Sequence, residues 1–253
     1  MGAAHLWNMN MQSRLGFESR VLPVPQLDPV LRDAMRGLFA TCYDGTDRDI
    51  FNEDLNEKDE VVTIWQSGVL CGFTTLKWYL FPHEGRQVAI LFSGDTIMDR
   101  RHWGHLELAS AWLTRVGQWS RRRPECPLYW LLTVKGHRTY RYMPTFGIEF
   151  VPNWRDDANT AHLLSLRNAL ARHRFGDAFD ERGGVVRFSG TGNRLRPEIA
   201  LPTERERGRP DVAFFLERNP GFANGDELVC LCPLKAENMR PFGRRIYEQG
   251  RRT

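Results

Sequence analysis

The segment from Gln87 to Arg123 constrains this chain more than any other part of its sequence. It predicts an apolar strand, a basic turn around Gly104 and an amphipathic helix that ends in three arginines. A strand that enters a helix through a tight turn leaves free backbone N–H groups at the helix start. Such groups, together with the helix dipole, attract anions. The segment therefore predicts a binding site for a phosphorylated ligand.

Length and composition indicate one globular unit. The chain has 253 residues, of which 42% are hydrophobic and 26% are charged. This length suits one large domain, or one domain with an elaborated tail. No run approaches the ~18 apolar residues of a membrane span. The first residues lack the basic start and apolar block of a secretory signal. We therefore expect a cytoplasmic protein without a membrane span.

The five cysteines and the composition of the basic residues indicate the state of the thiols and the kinds of ligand that the chain binds. The cysteine number is odd, so reduced and mostly buried thiols are expected, and Cys230 and Cys232 share one face of a strand. Only four of the 35 basic residues are lysines, a bias that fits a GC-rich bacterial genome as well as phosphate binding. The net charge of +4 argues against general nucleic-acid binding. RNA binding through the arginine-rich tail is kept as a weaker hypothesis.

The pattern of apolar residues predicts a strand at 17–24, a helix begun by Asp28-Pro29, and a short helix within 46–60 that buries Ile50, Phe51 and Leu55. Three antiparallel strands at 61–66, 69–81 and 87–96 follow, joined by short turns. Ser93-Gly94 predicts a bulge in the third. A helix at 105–120 and a strand at 128–134 covered on both faces come next.

After residue 136, the sequence predicts less regular secondary structure. Residues 137–145 are expected to be helical or irregular, 147–152 a strand and 160–175 a helix. After residue 180 we expect a long Gly-, Pro- and Arg-rich surface loop. Short strands are predicted at 212–216 and 227–231. The whole order predicts an α/β (α+β) fold with a mixed, mostly antiparallel central sheet flanked by helices.

This element order resembles the Gcn5-related N-acetyltransferase (GNAT) superfamily over residues 17–152. The segment FNEDLNEKDEVVTIWQSGVLCGFTTL looks like the second helix and first hairpin of that fold. Residues 99–105 fall on the family's acyl-CoA pyrophosphate loop, usually Arg/Gln-x-x-Gly-x-Gly/Ala. Arg101 and Gly104 match that pattern, whereas Leu106 stands where a small residue belongs. With the change in composition near residue 180, we expect an N-terminal extension at 1–16, a GNAT-like domain at 17–180 and a C-terminal extension at 181–253 that packs on the domain.

The resemblance implies a binding site for acyl-CoA, or for acyl-phosphopantetheine on an acyl carrier protein. Arg100 and Arg101 are expected to contact phosphate oxygens, since guanidinium groups match them geometrically. His102 and His105 could contact phosphate or substrate. They lack a third ligand in sequence, so no metal is expected. The full predicted cofactor-binding set is Ile97, Met98, Arg100, Arg101, His102, Trp103, Gly104 and His105.

Acyl transfer to an amine requires deprotonation of the amine, stabilisation of an oxyanion and departure of a thiolate. Backbone N–H groups near residues 95–98 are expected to polarise the thioester carbonyl. Asp95, after the bulge, Glu107 and His105 are the candidate bases. Asp95 could instead cap a turn, and Glu107 could instead only interact favourably with the helix dipole. Tyr142 matches a tyrosine that protonates the thiolate in many family members, with Tyr140 as its competitor.

Two classes of function follow. The first is an N-acyltransferase, transferring groups other than aminoacyl groups, with a cleft between residues 91–96 and 129–134. The second is a non-catalytic GNAT-like binding protein. Trp78, Tyr79 and Phe81 are expected to line an acyl channel. Phe188–Gly192 is expected to be a flexible loop rather than a nucleotide loop. The tail after residue 180 is expected either to fold over the cleft or to mediate self-association as a homodimer.

Overall fold

The computed structural model describes residues 11–12, 16–155, 160–188 and 193–253. Its strands are β1 (Met11–Gln12), β2 (Phe17–Pro23), β3 (Tyr43–Asp44), β4 (Glu60–Gln66), β5 (Val69–His83), β6 (Arg86–Met98), β7 (Leu128–Val134), β8 (Phe179–Asp180), β9 (Val185–Val186), β10 (Arg194–Leu195) and β11 (Glu227–Pro233). Its α-helices are α1 (Pro29–Ala40), α2 (Arg48–Asn56), α3 (Glu107–Arg121), α4 (His137–Tyr140), α5 (Tyr142–Phe146), α6 (Ala161–Phe175), α7 (Pro197–Ala200), α8 (Glu204–Arg207), α9 (Pro210–Arg218) and α10 (Pro241–Arg252).

One large sheet organises the fold. Within the described residues its strand order is β1-β2-β4-β5-β6-β7-β11-β9-β8, and β3 pairs with β10 in a separate two-stranded sheet. Neighbouring strands run antiparallel, except that β6 and β7 are parallel. Helices α3 and α10 contact each other beside the sheet, while α6 contacts β11 and α1 contacts β5. The predicted mixed, mostly antiparallel sheet flanked by helices is therefore confirmed.

Strand β7 carries apolar side chains on both faces. Trp130 and Leu132 belong to the core cluster that includes α3 and α10, whereas Tyr129 and Leu131 belong to the cluster that includes α6. A strand covered on both faces has no need of polar alternation. The continuous apolar run at 128–134 thus predicted both the strand and its two-sided burial correctly.

The N-terminal helices follow their local signals. The Asp28 carboxylate accepts a hydrogen bond from the Leu31 amide at 2.7 Å at the start of α1, the N-cap interaction that its sequence predicts. In α2, Phe51 and Leu55 are buried but Ile50 is 54% exposed. The predicted burial of Ile50 was therefore wrong, because Phe51 and Leu55 alone, four residues apart, define the inner face.

After residue 146, two predictions need correction and one helix was missed. Residues 212–216 form part of helix α9, whose first residue is Pro210, and not a strand. Val212 and Phe215 are buried and lie three residues apart, so they share one helical face. Residues 147–152 make only isolated bridges at Gly147 and Val151. Helix α10 was not predicted.

The Gly-, Pro- and Arg-rich tail is more ordered than a surface loop. It contains β10, α7 and α8, and Ile199 is 7% exposed. Strand β11 was predicted correctly and pairs with β7 in the large sheet. The domain limits at 16 and 180 stay predictions, although strands from before and after residue 180 lie side by side in that sheet. Residues 189–192 lie outside the described part of the chain.

The cysteines are free thiols in the described structure. Cys42, Cys71, Cys230 and Cys232 are buried, and Cys126 is partly buried. Burial raises the pKa of the Cys232 thiol to about 12, so the group is uncharged near neutrality. Among the described helices, none combines the length and the apolar character that crossing a bilayer requires.

Candidate functional site

The parallel strands β6 and β7 separate at their carboxyl ends. Their pairing runs from Ala89 with Leu128 to Ser93 with Leu132 and stops there, although β6 continues to Met98. On its other edge β6 stays paired with β5 as far as Met98. The last residues of β6 therefore present to β7 an edge of backbone groups that no strand of the described chain occupies.

A bulge in β6 marks the point of separation. Ser93 pairs with Leu76, and Thr96 pairs with Thr74, so Gly94 and Asp95 together oppose the single residue Thr75. A bulge of this kind bends its strand and increases its twist. A side chain at Gly94 would meet Thr75 Oγ1 at 2.5 Å, which is why glycine is required. The bulge predicted at Ser93-Gly94 is confirmed.

A cleft of about 440 Å³ opens where the two strands separate. Its walls come from the end of β6, the basic turn, the first turn of α3, the pair α4 and α5, and the tail. The lining residues are Cys42, Tyr43, Thr96, Ile97, Met98, His102, Trp103, Gly104, His105, Leu106, Leu108, Ala109, Gly136, Arg138, Thr139, Arg141, Tyr142, Thr145, Phe146, Leu195 and Ile199. The sequence placed its opening at residues 129–134, whereas the second wall begins at Gly136.

The start of α3 borders this cleft with free amides. Gly104 has φ +91°, a backbone conformation that favours glycine, and open space surrounds it. Leu106 precedes the helix, and no side-chain cap is bonded to the first turn. The first N–H groups of a helix have no partner within it. The amides at residues 107–109 are therefore available to an anion, as the strand–turn–helix pattern predicted.

The predicted phosphate-binding arginines are already engaged by carboxylates. Arg101 donates from Nη2 to Asp99 Oδ2 at 2.7 Å and from Nε to both carboxylate oxygens. This hydrogen bonding from Arg101 lowers the pKa of Asp99 to about 2. Arg100 donates to Glu198 at 3.1 Å. Both arginines lie at the exposed rim rather than among the residues that line the cleft, and their contact with phosphate stays a prediction.

The aromatic residues of the turn fix its position. Trp103 donates its indole N–H to the carbonyl oxygen of Met98 at 2.8 Å, which ties the turn to the end of β6. The rings of His102 and His105 pack against Phe17, with centroids 5.3 and 5.4 Å away. All three turn residues line the cleft, and their contact with a cofactor stays a prediction. Across the described chain, no group of three or more His, Cys, Asp and Glu side chains is arranged to hold a metal.

The two tyrosines considered as the acid, Tyr142 and Tyr140, lie in different surroundings. Tyr142 lines it, and its hydroxyl has no hydrogen-bond partner in the described structure. Burial raises the pKa of Tyr142, so the hydroxyl keeps its proton. Tyr140, its competitor, is fully buried and donates to the carbonyl oxygen of Pro152 at 2.9 Å. The structure therefore separates a cleft tyrosine from a core tyrosine.

Asp95 lies on the bulge, one residue before Thr96 and beside the cleft rather than on its surface. Burial, followed by the charge of Asp54, raises the pKa of Asp95 to about 7. Lys58 and Lys135 oppose this rise, while Glu227 adds to it. The Asp95 carboxylate in turn acts on Tyr43, a residue of the cleft wall, whose pKa is raised well above its usual range by burial first and by Asp95 second.

Glu107 does not join this group. Its carboxylate faces a separate depression next to Phe17 and Phe242, 3.7 Å from Nδ1 of His105. Its catalytic role stays a prediction, because the Glu107 side chain does not line the cleft.

The prediction that Trp78, Tyr79 and Phe81 line an acyl channel is wrong. Trp78 stacks on Trp119, while Tyr79 and Phe81 pack with the core on the opposite face of the sheet.

The sequence missed several residues of the cleft wall. Leu195 and Ile199 come from the tail, which thus covers part of the cleft. Arg138 donates to the carbonyl oxygen of Ile199 at 2.7 Å and stands over the Trp103 ring at 5.2 Å. Arg141 lies 3.5 Å from Asp211. No local signal indicates these positions, because segments more than 50 residues apart form this wall.

A second cavity, of about 550 Å³, lies at the opposite end of β7. Arginine, lysine and glutamate side chains mix along its walls, among them Arg86, Arg251, Lys235 and Glu149. Its described lining contains none of the catalytic or cofactor-binding residues that the sequence predicts. The cleft at the carboxyl end of β6 is therefore the better candidate for the functional site.

No family model and no curated protein sequence matches the chain. Solved structures with partial likeness include a protein of Enterococcus faecalis V583 described as a probable N-acyltransferase, with 12% identity and a TM-score of 0.39 over 52% of this chain and 33% of that one. Escherichia coli ElaA gives 13% identity and a TM-score of 0.36 over 54% and 88% of the two chains.

A third such structure is the GNAT family N-acetyltransferase YhbS of Escherichia coli in complex with CoA. It gives 10% identity and a TM-score of 0.39, over 54% of this chain and 71% of that one. The present chain spans about a third of the length of the Enterococcus protein. These partial similarities cover about half of the chain. They do not establish its function.

Proposed function

We propose that the chain is a divergent member of the GNAT superfamily and an N-acyltransferase that moves an acyl group from acyl-CoA to an amine. The observation that carries this proposal is the separation of two parallel strands beside the uncapped start of α3. The open edge of β6 offers backbone groups to an extended amide-containing ligand, in the manner of an added strand. The helix start, at the end of that edge, offers amides to phosphate.

CoA has the chemistry that such a site would bind. Its pantetheine arm contains amides that suit a free strand edge, and its pyrophosphate suits a helix N-terminus. In this arrangement the pyrophosphate lies at residues 104–109 and the arm runs along residues 95–98. The thioester then lies near Tyr142, which lines the cleft across from Thr96.

The residues of the cleft support direct acyl transfer. The amine nitrogen attacks the thioester carbonyl carbon, and a C–N bond forms as the C–S bond breaks. Asp95 accepts the amine proton, directly or through one water molecule. The Tyr142 hydroxyl gives its proton to the leaving sulfur. Free amides of β6 near residues 95–98 stabilise the oxyanion.

The donor that we favour is CoA rather than an acyl carrier protein. The arginines at the end of α3, Arg121 to Arg123, are the patch to which an acidic carrier would dock. They lie a whole helix away from the cleft, about 20 Å at 1.5 Å per residue. The acyl group is taken to be other than aminoacyl, and the acceptor amine enters between Tyr43 and the tail residues Leu195 and Ile199.

The alternative is a GNAT-like protein that binds CoA without catalysis. It is favoured by the engagement of Arg100 and Arg101 with carboxylates and by the position of Asp95 beside the cleft rather than within it. Under this alternative the chain binds CoA but does not transfer an acyl group, so a measurement of the reaction itself distinguishes the binding protein from the enzyme.

Release of free thiol from acetyl-CoA tests the proposal. With a panel of amines that includes polyamines, amino acids and peptide N-termini, we expect at least one acceptor to release CoA thiol at a rate proportional to enzyme concentration. Thermal stabilisation by CoA, measured in parallel, reports binding. Stabilisation without thiol release for any acceptor would favour the binding protein, and neither signal at millimolar CoA would reject the proposal.

A further inference from the structure

A small recess extends the cleft into the core. It has a volume of about 30 Å³, about two to three times the smallest cavity volume that holds one water molecule. Thr96, Leu108, Ala109, Tyr142 and Phe146 line both the cleft and the recess. The recess therefore opens from the part of the cleft where Tyr142 lies.

Two indole rings form the far end of this recess. Trp112 of α3 and Trp130 of β7 are 5% and 4% exposed, and their ring centroids lie 4.5 Å apart. Both donate their N–H groups to one acceptor, Oγ of Ser93, at 3.2 and 2.9 Å. Ser93 is the last residue of β6 that still pairs with β7. The two rings thus join α3, β6 and β7 at the base of the separation.

The shared acceptor makes this end of the recess rigid. Rotation of either ring would leave a buried N–H donor without a partner, which is costly in a protein interior. Phe146 limits Trp112 on another side, with centroids 6.5 Å apart. Long acyl chains would need these rings to move, because a recess of this volume holds only a few non-hydrogen atoms.

We infer that Trp112 and Trp130, clamped by Ser93, determine the length of the acyl group that the cleft accepts. The inference rests on the proposed function, since it places the thioester at Tyr142 with the acyl group directed into the recess. Acyl groups of two or three carbons fit, and the indoles exclude groups of about six carbons or more. The acyl length is set by these two rings and not by the strand aromatics Trp78, Tyr79 and Phe81.

The affinities of CoA, acetyl-CoA, hexanoyl-CoA and octanoyl-CoA, measured by calorimetry, test this inference. For the wild-type chain we expect hexanoyl-CoA and octanoyl-CoA to bind at least tenfold more weakly than acetyl-CoA. Binding of CoA reports the cleft itself. Equal affinity for acetyl-CoA and octanoyl-CoA would overturn the inference and leave the proposed function standing. A failure of CoA to bind would reject both.

Two variants change the recess in opposite directions. Trp112→Ala enlarges it, and we expect the preference for acetyl-CoA over hexanoyl-CoA to fall by at least fivefold. Trp119→Ala, on the same helix but stacked on Trp78 outside the cleft, is the matched control and should keep the wild-type preference. Ala109→Leu fills the recess from a residue that lines both the recess and the cleft, so its readout is the ratio of the acetyl-CoA affinity to the CoA affinity, which should fall at least tenfold.

The Ala109→Leu variant keeps the inference testable even if Trp112→Ala does not fold. If Trp112→Ala does not fold, Ala109→Leu and the wild-type series decide the question, because Ala109 is only partly buried at the mouth of the recess. An unchanged preference in a folded Trp112→Ala chain, or an Ala109→Leu chain with the wild-type ratio of acetyl-CoA to CoA affinity, would contradict the role of the indoles.

Discussion

Replacement of Asp95 by asparagine should lower kcat/KM for acyl transfer by at least about 100-fold, within the range that general bases contribute, while CoA affinity stays unchanged. The amide is close in size to the carboxylate but does not accept a proton at neutral pH. Asp95 must be ionised to act as a base, so wild-type kcat/KM should fall as the pH drops below about 7, the pKa to which burial and Asp54 raise this group.

The matched control is Asp177→Asn, which removes the same charge from an exposed position after α6. It should change neither the rate nor the pH profile. The pH profile of kcat/KM for acetyl-CoA, measured with saturating acceptor, provides the second readout. An Asp95→Asn chain that keeps more than a third of the wild-type rate, or a wild-type profile flat between pH 5.5 and 8, would remove Asp95 from the mechanism.

Loss of the Glu60 carboxylate should produce the largest change in stability. Glu60 on β4 accepts from Nε of Arg115 at 2.7 Å and from Nη2 at 2.5 Å, and the Trp78 indole donates to it at 3.3 Å. The Arg115 side chain is 8% exposed. Glu60→Leu leaves this guanidinium buried without an anion, so the free energy of unfolding should fall by about 3 kcal/mol or more.

Urea denaturation of two further variants tests the cause. The double variant Glu60→Leu/Arg115→Met removes both charges, and most of the lost free energy should return. The exposed pair between Arg48 and Asp33, at 2.8 Å, is the matched control. Asp33→Ala should cost less than about 1 kcal/mol. A Glu60→Leu chain as stable as Asp33→Ala would show that the bidentate pair contributes nothing beyond a surface contact.

Local signals predicted the centre of the fold and failed towards its C-terminus. Strand β7 and the hairpins before it have short turns and apolar residues in runs of strand length, so each could be identified alone. The run VAFFL at 212–216 has the length of a strand but the burial pattern of a helix. Periodicity over five residues does not separate the two. Helix α10 has only a narrow apolar face, with Ile246 and Tyr247 buried, and was not recognised.

The residues of the candidate site also differ in how far the sequence could predict them. Gly104 and Asp95 could be proposed as site residues from local features, a turn before a helix and a bulge, and Tyr142 from the resemblance to the GNAT superfamily. Leu195, Ile199 and Arg138 could not, because their places depend on how the tail folds over the cleft. The assumption that exposed arginines stay free for phosphate also missed their pairing with Asp99 and Glu198.

The central claim is that CoA binds where β6 and β7 separate, and amide hydrogen exchange with and without 1 mM CoA tests it most directly. We expect protection confined to residues 95–109 and 136–146, at the helix start and across the cleft. Unchanged exchange, or protection instead at the second cavity around Arg86, Lys235 and Arg251, would contradict this account of the site.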